Sequence, residues 1–184
     1  MTIILGFDPG SRIAGFAILE VLAGKERCIQ AGCLRLERLP VEARLGVLLT
    51  SCQQILAQFQ PQVLAIEQAF MYQNAQTALK LGQVRGVVIA LAQAAKLAVY
   101  EYAPKLVKQA VVGTGNADKQ QVQHMVQCLL GLAKRPQVDC ADAMAVALCH
   151  AQHQRGFATA RPKRSVRRNR RWTEGDCQIV RAPT

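Results

Sequence analysis

Two apolar, β-rich runs, residues 2–7 and 13–22, are separated only by Asp8-Pro9-Gly10-Ser11-Arg12. Pro and Gly make that joint a turn, so the runs are expected to pair as neighbouring strands. Residues 27–36 read as a third strand, completing an antiparallel meander. The pattern then changes period. After Pro40, the residues Leu45, Leu48, Leu49, Cys52, Ile55, Leu56 and Phe59 recur at helical spacing, and Pro61 ends the helix. Residues 63–66 form a short buried strand closed by Glu67. A long helix over 74–96, a fifth strand over 97–102 and helices over 103–112, 118–132 and beyond Pro136 complete the reading. Strands first, then alternating helix and strand, then helices imply an α/β fold: a five-stranded mixed sheet flanked by helices.

The chain has 184 residues, and 51% are hydrophobic, which suffices for one domain with a sizeable core and excludes wholesale disorder. The apolar runs fall far short of a membrane span. Residues 1–6 carry no basic stretch and no small-residue cleavage site, so a cytoplasmic protein is expected. Seven irregularly spaced cysteines without a Cys-x-x-Cys pattern argue against a disulfide framework. Cys149, His150 and His153 lack an obvious fourth ligand, which argues against zinc. The formal net charge is +11, and residues 155–184 hold nine Arg or Lys against Glu174 and Asp176. A domain over 1–154 followed by a basic, flexible tail over 155–184 is therefore expected. Counterion release from phosphates would give such a tail affinity for nucleic acid.

The carboxylates are the most informative polar residues. Asp8 ends the first apolar run and Glu67 ends the fourth strand, while Asp139 and Asp142 share a face of the last helix. A carboxylate at the mouth of a buried strand is partly desolvated. If the two strands are adjacent, repulsion between Asp8 and Glu67 raises a pKa or demands a cation. Four carboxylates without matching His or Cys form an all-oxygen donor set, suited to Mg²⁺ or Mn²⁺ rather than zinc. Two such ions can activate a water and stabilise a leaving oxygen in phosphodiester hydrolysis. The competing reading of Asp8 as a turn former and Asp139 as a helix cap accounts for each residue singly, not for the set.

Five stretches resemble the bacterial RuvC family of crossover-junction endodeoxyribonucleases, which resolve Holliday junctions. They are Gly6-Phe7-Asp8-Pro9-Gly10-Ser11-Arg12; Ala65-Ile66-Glu67-Gln68-Ala69-Phe70; NAQTALKLGQVRG over 74–86; YAPKLVKQAVVGTGNADKQQV over 102–122; and DCADAMAVA over 139–147. The resemblance covers residues 1 to about 153, in order. It implies a ribonuclease H-like fold, a homodimer, and Mg²⁺-dependent paired nicking of four-way junction DNA. It also implies a branch-migration motor of the RuvA and RuvB type as partner. The family's catalytic and metal-binding carboxylates carry over to Asp8, Glu67, Asp139 and Asp142. Cys140, where a small residue such as Ala is expected, and the charged tail depart from the pattern.

DNA contacts are expected at Phe70, Lys80, Arg85, Lys105, Lys108, Asn116 and Lys119. Phe70 follows the Glu67 strand and is suited to stacking on an unpaired base, or to capping the sheet. Lys105, Lys108 and Lys119 flank the loop Gly113-Thr114-Gly115-Asn116, and the resemblance places DNA-binding lysines at Lys108 and Lys119. Asn116 is suited to capping the next helix or to bonding a base edge. Lys80 and Arg85 on the long helix are suited to phosphate contact or to a solvated face. Gly82, Gly86, Ala90 and Ala94, spaced by four, let another backbone approach closely, either the chain's own sheet or a second copy, and the resemblance, which implies a dimer through this helix, favours self-association. A phosphotransferase would need a second glycine-rich phosphate loop, which the chain lacks. A non-catalytic junction binder would have lost a carboxylate. A related RNA-directed nuclease is the remaining alternative.

Overall fold

The computed structural model describes residues 1–37, 39–68 and 75–159. Three strands open the fold: β1 (Thr2–Asp8), β2 (Ile13–Leu22) and β3 (Lys25–Arg35). They pair antiparallel in sequence order, as the short connections require. The β2–β3 turn consists of Ala23 and Gly24, both at positive φ (49° and 79°), the conformation that matches the twist of a two-residue hairpin. Helix α1 (Val41–Phe59) then returns the chain to β4 (Val63–Glu67), which lies parallel to β1. Helix α2 (Ala75–Ala94) leads to β5 (Ala98–Tyr102), parallel to β4. The sheet order is β3-β2-β1-β4-β5. Helices α3 (Pro104–Val112), α4 (Lys119–Leu129) and α5 (Val138–Thr159) follow.

The period of two along β1 and β4 divides the molecule into three layers. Ile3, Leu5 and Phe7, with Leu64 and Ile66, pack on one face against Leu48, Cys52 and Ile55 of α1 and Val84 and Val88 of α2. Ile4, Val63 and Ala65 pack on the other face against α3, α4 and α5. By the same alternation Gly6, Asp8 and Glu67 belong to the α5 face. Helix α5 is buried on most sides, and its inward residues are small: Ala141, Ala143, Ala145 and Ala147 are fully buried. Two strand glycines admit it. A Cβ on Gly6 would lie 2.2 Å from the Ala143 carbonyl oxygen, and one on Gly15 would lie 2.0 Å from that of Asp139. The helix backbone therefore rests directly on β1 and β2.

Several boundaries shift by one to a few residues from the sequence expectation, and three have a visible cause or consequence. Strand β3 begins at Lys25, because the tight turn pairs Lys25 with Leu22. Helix α4 stops at Leu129 rather than 132, since Leu130 leaves helical geometry and Gly131 turns at φ 60°. Helix α5 continues through Thr159, beyond the compositional boundary at 154, and Arg155 is ion-paired with Glu26 of β3. Residues 160–184, the rest of the basic segment, lie outside the described residues, as does Asn74 at the start of the long helix. Among the described residues, no helix is long and apolar enough to cross a membrane.

Candidate active site

Strands β1 and β4 run parallel, with Phe7 beside Ile66, so their carboxyl ends deliver Asp8 and Glu67 side by side. Helix α5 crosses the same face and brings Asp139 and Asp142 to that end of the sheet. All four carboxylates line one cavity of about 480 Å³, together with Lys108 from α3 and Lys119 from α4. Pro9, Gly10, Thr77 and Pro104 form parts of its wall.

The electrostatics follow from burial and like charge. Burial, then the neighbouring Glu67 and Asp142, push the Asp8 carboxyl up to about 8, and a hydrogen bond with Glu67 adds to the effect. Glu67 is raised by burial and Asp142, and is partly compensated by its hydrogen bond with Asp8 and by Lys119 and Lys108. The Asp8–Glu67 pair thus holds a shared proton near neutrality. Asp142 is raised by burial against the opposing pull of Lys119. The Lys119 ammonium stands 3.4 Å from Asp142 Oδ2, and that partner holds its own pKa above the ordinary lysine value. Between the two aspartates, Cys140 is buried, and burial with the adjacent Cys33 pushes its thiol up to about 12.

Among the described residues, no three His, Cys, Asp or Glu side chains are gathered tightly enough to hold a metal ion as they stand. The donor set nevertheless fits a hard cation. It is all oxygen, and the Asp8 carboxyl, raised first by burial and then by the neighbouring Glu67 and Asp142, sits where a cation would relieve both effects.

The remaining sequence candidates separate. Lys108 is half-buried at the cavity and Lys119 is exposed at its rim, whereas Lys105 is exposed and does not line it. Asn116 is exposed in its loop, and it is not the cap of α4. Asp118 is: its Oδ1 accepts from the Gln121 N–H at 2.8 Å, while Gln121 Oε1 accepts from the Asp118 N–H at 2.9 Å. Lys80 lies on a separate small recess with Ser11, Arg44 and Gln83. Phe70 lies outside the described residues. Arg85 is turned inward rather than to solvent. Its side chain is 12% exposed, it donates to the Glu67 carbonyl oxygen, and it pairs with Glu101 Oε2 at 3.0 Å. It braces the carboxyl ends of β4 and β5. The Cys149–His153 contact of 3.7 Å lies within α5, while the buried His150 bonds Tyr102 of β5 through Nδ1 at 2.7 Å and ties α5 to that strand.

Sequence reasoning missed several contributors. Gly6 and Gly15 seat α5. Arg44 holds the segments around the β1–β2 turn through the carbonyls of Ser11, Glu37 and Leu39. Thr77 reaches the cavity wall. The two glycines, set within otherwise apolar strands, were the one available signal, since a strand glycine marks a close backbone approach.

Comparison with known proteins bears on this geometry. The family model "Crossover junction endodeoxyribonuclease RuvC" matches residues 4–150. The crossover junction endodeoxyribonuclease RuvC of Vibrio parahaemolyticus is 49% identical over 94% of this chain and 99% of its own length. That of Marinobacter nauticus is 48% identical over 92% and 98%. Among solved structures, Thermus thermophilus RuvC in complex with Holliday junction substrate superposes with a TM-score of 0.79 at 34% identity, covering 85% of this chain and 96% of its own. The yeast mitochondrial Holliday junction resolvase, at 15% identity and a TM-score of 0.61, shares the fold. The ribonuclease H-like arrangement implied by the resemblance is the one observed. On a match this long and this similar, the chain belongs to the RuvC family of crossover junction endodeoxyribonucleases.

Proposed function

We propose that the chain is a structure-selective endodeoxyribonuclease that cuts four-way Holliday junctions by paired symmetric nicks, in DNA recombination and repair. The observation that carries this reading is one cavity holding Asp8, Glu67, Asp139 and Asp142 with Lys108 and Lys119 at its edge. Asp8, Glu67, Asp139 and Asp142 would hold Mg²⁺, with Mn²⁺ as a substitute, at two ions per site. When bound, such cations supply Lewis-acid activation of water and stabilise charge on the leaving oxygen. The protein's own residues do the rest. Lys108 and Lys119 draw a phosphate of the scissile strand to the cavity mouth. Lys119 trades its Asp142 contact for that phosphate, and Asp8 and Glu67, once deprotonated, would hold the cation between them. The buried floor of β1 and β4 keeps the carboxylates from swinging away. The net reaction joins a water oxygen to phosphorus and releases the strand's ester oxygen.

The reading extends to a homodimer in the cytoplasm, working with a branch-migration motor of the RuvA and RuvB type. The exposed Gly82 and Gly86 on α2, where a Cβ would meet nothing within 4 Å, support close approach of a second copy. Two-fold symmetry suits a substrate with two matched strands. The test is nicking of a synthetic four-way junction beside a linear duplex of the same sequence, with Mg²⁺ or with EDTA. Symmetric cuts confined to the junction and lost in EDTA are expected. Tight junction binding without cuts would make the protein a binder, and preferential cutting of RNA would replace the DNA reading.

A further inference from the structure

Cys33 on β3 and Cys140 in the first turn of α5 are 107 residues apart in sequence, yet their Sγ atoms stand 3.1 Å apart. The proposed hydrolysis uses neither thiol. The contact has a cause in the fold. Cys33 is the cross-strand partner of Gly15, and Gly15 is where the Asp139 backbone rests on the sheet. The residue after Asp139 is thereby laid over the neighbouring strand. Cys33 is half-buried and reachable from solvent, Cys140 is buried, and the Cys33 thiol is also 3.4 Å from Gln137 Oε1. Bonded sulfurs lie about 2.05 Å apart, so closure asks for about 1 Å of approach. Helix α5 already touches the sheet at Gly15 and has no room to come nearer. Strand β3 is an edge strand, with no further strand paired to it among the described residues, and takes up the movement together with side-chain rotation.

We propose that Cys33 and Cys140 form an oxidative modification site, which a hydroperoxide converts into an internal disulfide that staples the first turn of α5 to the sheet. The Cys33 sulfur attacks one peroxide oxygen and the O–O bond breaks. Cys33 becomes a sulfenic acid, and the other oxygen departs, protonated, as water in the case of hydrogen peroxide. The Cys140 sulfur then attacks Cys33, the S–O bond breaks, and the hydroxyl leaves as water with the Cys140 proton. Two thiols are oxidised by two electrons in all, and one hydrogen peroxide is reduced to two waters. The bond spans the segment that carries Asp139 and closes a loop of more than a hundred residues, which restricts the unfolded chain.

The experiment needs no cleavage assay, so its outcome is independent of the nuclease reading. The purified full chain is treated with hydrogen peroxide at a dose that oxidises the exposed Cys128. It is then alkylated, digested without reductant and mapped by mass spectrometry. A Cys33–Cys140 cross-linked peptide, two hydrogens lighter than its parts and released by dithiothreitol, is expected. A rise in melting temperature on the order of 10 °C should accompany it and reverse with the reductant. Cys33→Ser should lose both signals and Cys28→Ser should keep both. Recovery of Cys33 and Cys140 as separate alkylated peptides, or a link from Cys140 to Cys28 instead, overturns the site. A Cys33–Cys140 link that leaves the melting temperature unchanged or lower overturns the staple.

Discussion

Gly15→Ala isolates the seating of α5 from the chemistry of the carboxylates. The added Cβ would lie 2.0 Å from the Asp139 carbonyl oxygen, against 3.4 Å for an ordinary contact, so helix and strand must separate by about 1.4 Å. The contact is backbone to backbone across a packed core, so no flexible side chain can absorb it. Overpacking of this kind costs about 1–3 kcal/mol. For a chain of this length that is a fall of roughly 2–12 °C in melting temperature. Asp139 moves with the helix, and a misplacement of about 1 Å at this proposed catalytic carboxylate should cost on the order of a hundredfold in rate. Lys108 and Lys119 sit on other helices, so junction affinity should change little. The assays are thermal unfolding, single-turnover nicking of a four-way junction, and junction binding in EDTA. Gly46→Ala on α1, where a Cβ meets nothing within 4 Å, is the control and should be neutral or stabilising. A Gly15→Ala protein that melts and cuts like the parent would refute the seating argument.

Four further outcomes are expected. Asp8→Asn should lower cleavage by about a thousandfold or more while leaving junction binding in EDTA nearly unchanged, since it removes a cation ligand but little negative charge near neutrality; loss of both would make Asp8 structural. Because the folded Asp8 carboxyl titrates at about 8 against 3.8 ordinarily, its stabilising proton is fully present at low pH and lost as pH rises toward 8. A divalent cation should therefore raise the melting temperature more at about pH 8.5 than at about pH 5.5, and an equal gain would exclude Asp8 from the cation site. Arg85→Ala should slow nicking about ten- to a hundredfold with junction affinity nearly unchanged; the reverse pattern would restore Arg85 as a phosphate contact. Truncation after Thr159 removes eight Arg or Lys and should flatten the salt dependence of junction binding, an unchanged slope being evidence against a DNA-binding arm.

Much of this protein was legible in its sequence because the signals are local. The apolar runs, the Pro-Gly turn and the change of hydrophobic period yielded five strands and their flanking helices with small boundary errors. Where each carboxylate sits on its own element followed from the same local pattern. Asp8 and Glu67 each close a buried strand, and Asp139 and Asp142 are three apart on one helix. What no local pattern contains is which elements become neighbours. The parallel pairing of β1 with β4 sets Asp8 beside Glu67, and the close rest of α5 on Gly6 and Gly15 brings the aspartates to the same end. Arg85 shows the limit most clearly. On a helix face it reads as a cation for phosphate, and only the position of α2 against the ends of β4 and β5 turns it inward. The same holds for Cys33 and Cys140, thiols far apart in sequence that the sheet register draws into contact. Composition and periodicity determine which face of each element is buried, because burial is an energy each residue contributes singly. Proximity across more than a hundred residues arises only when those faces close on one another.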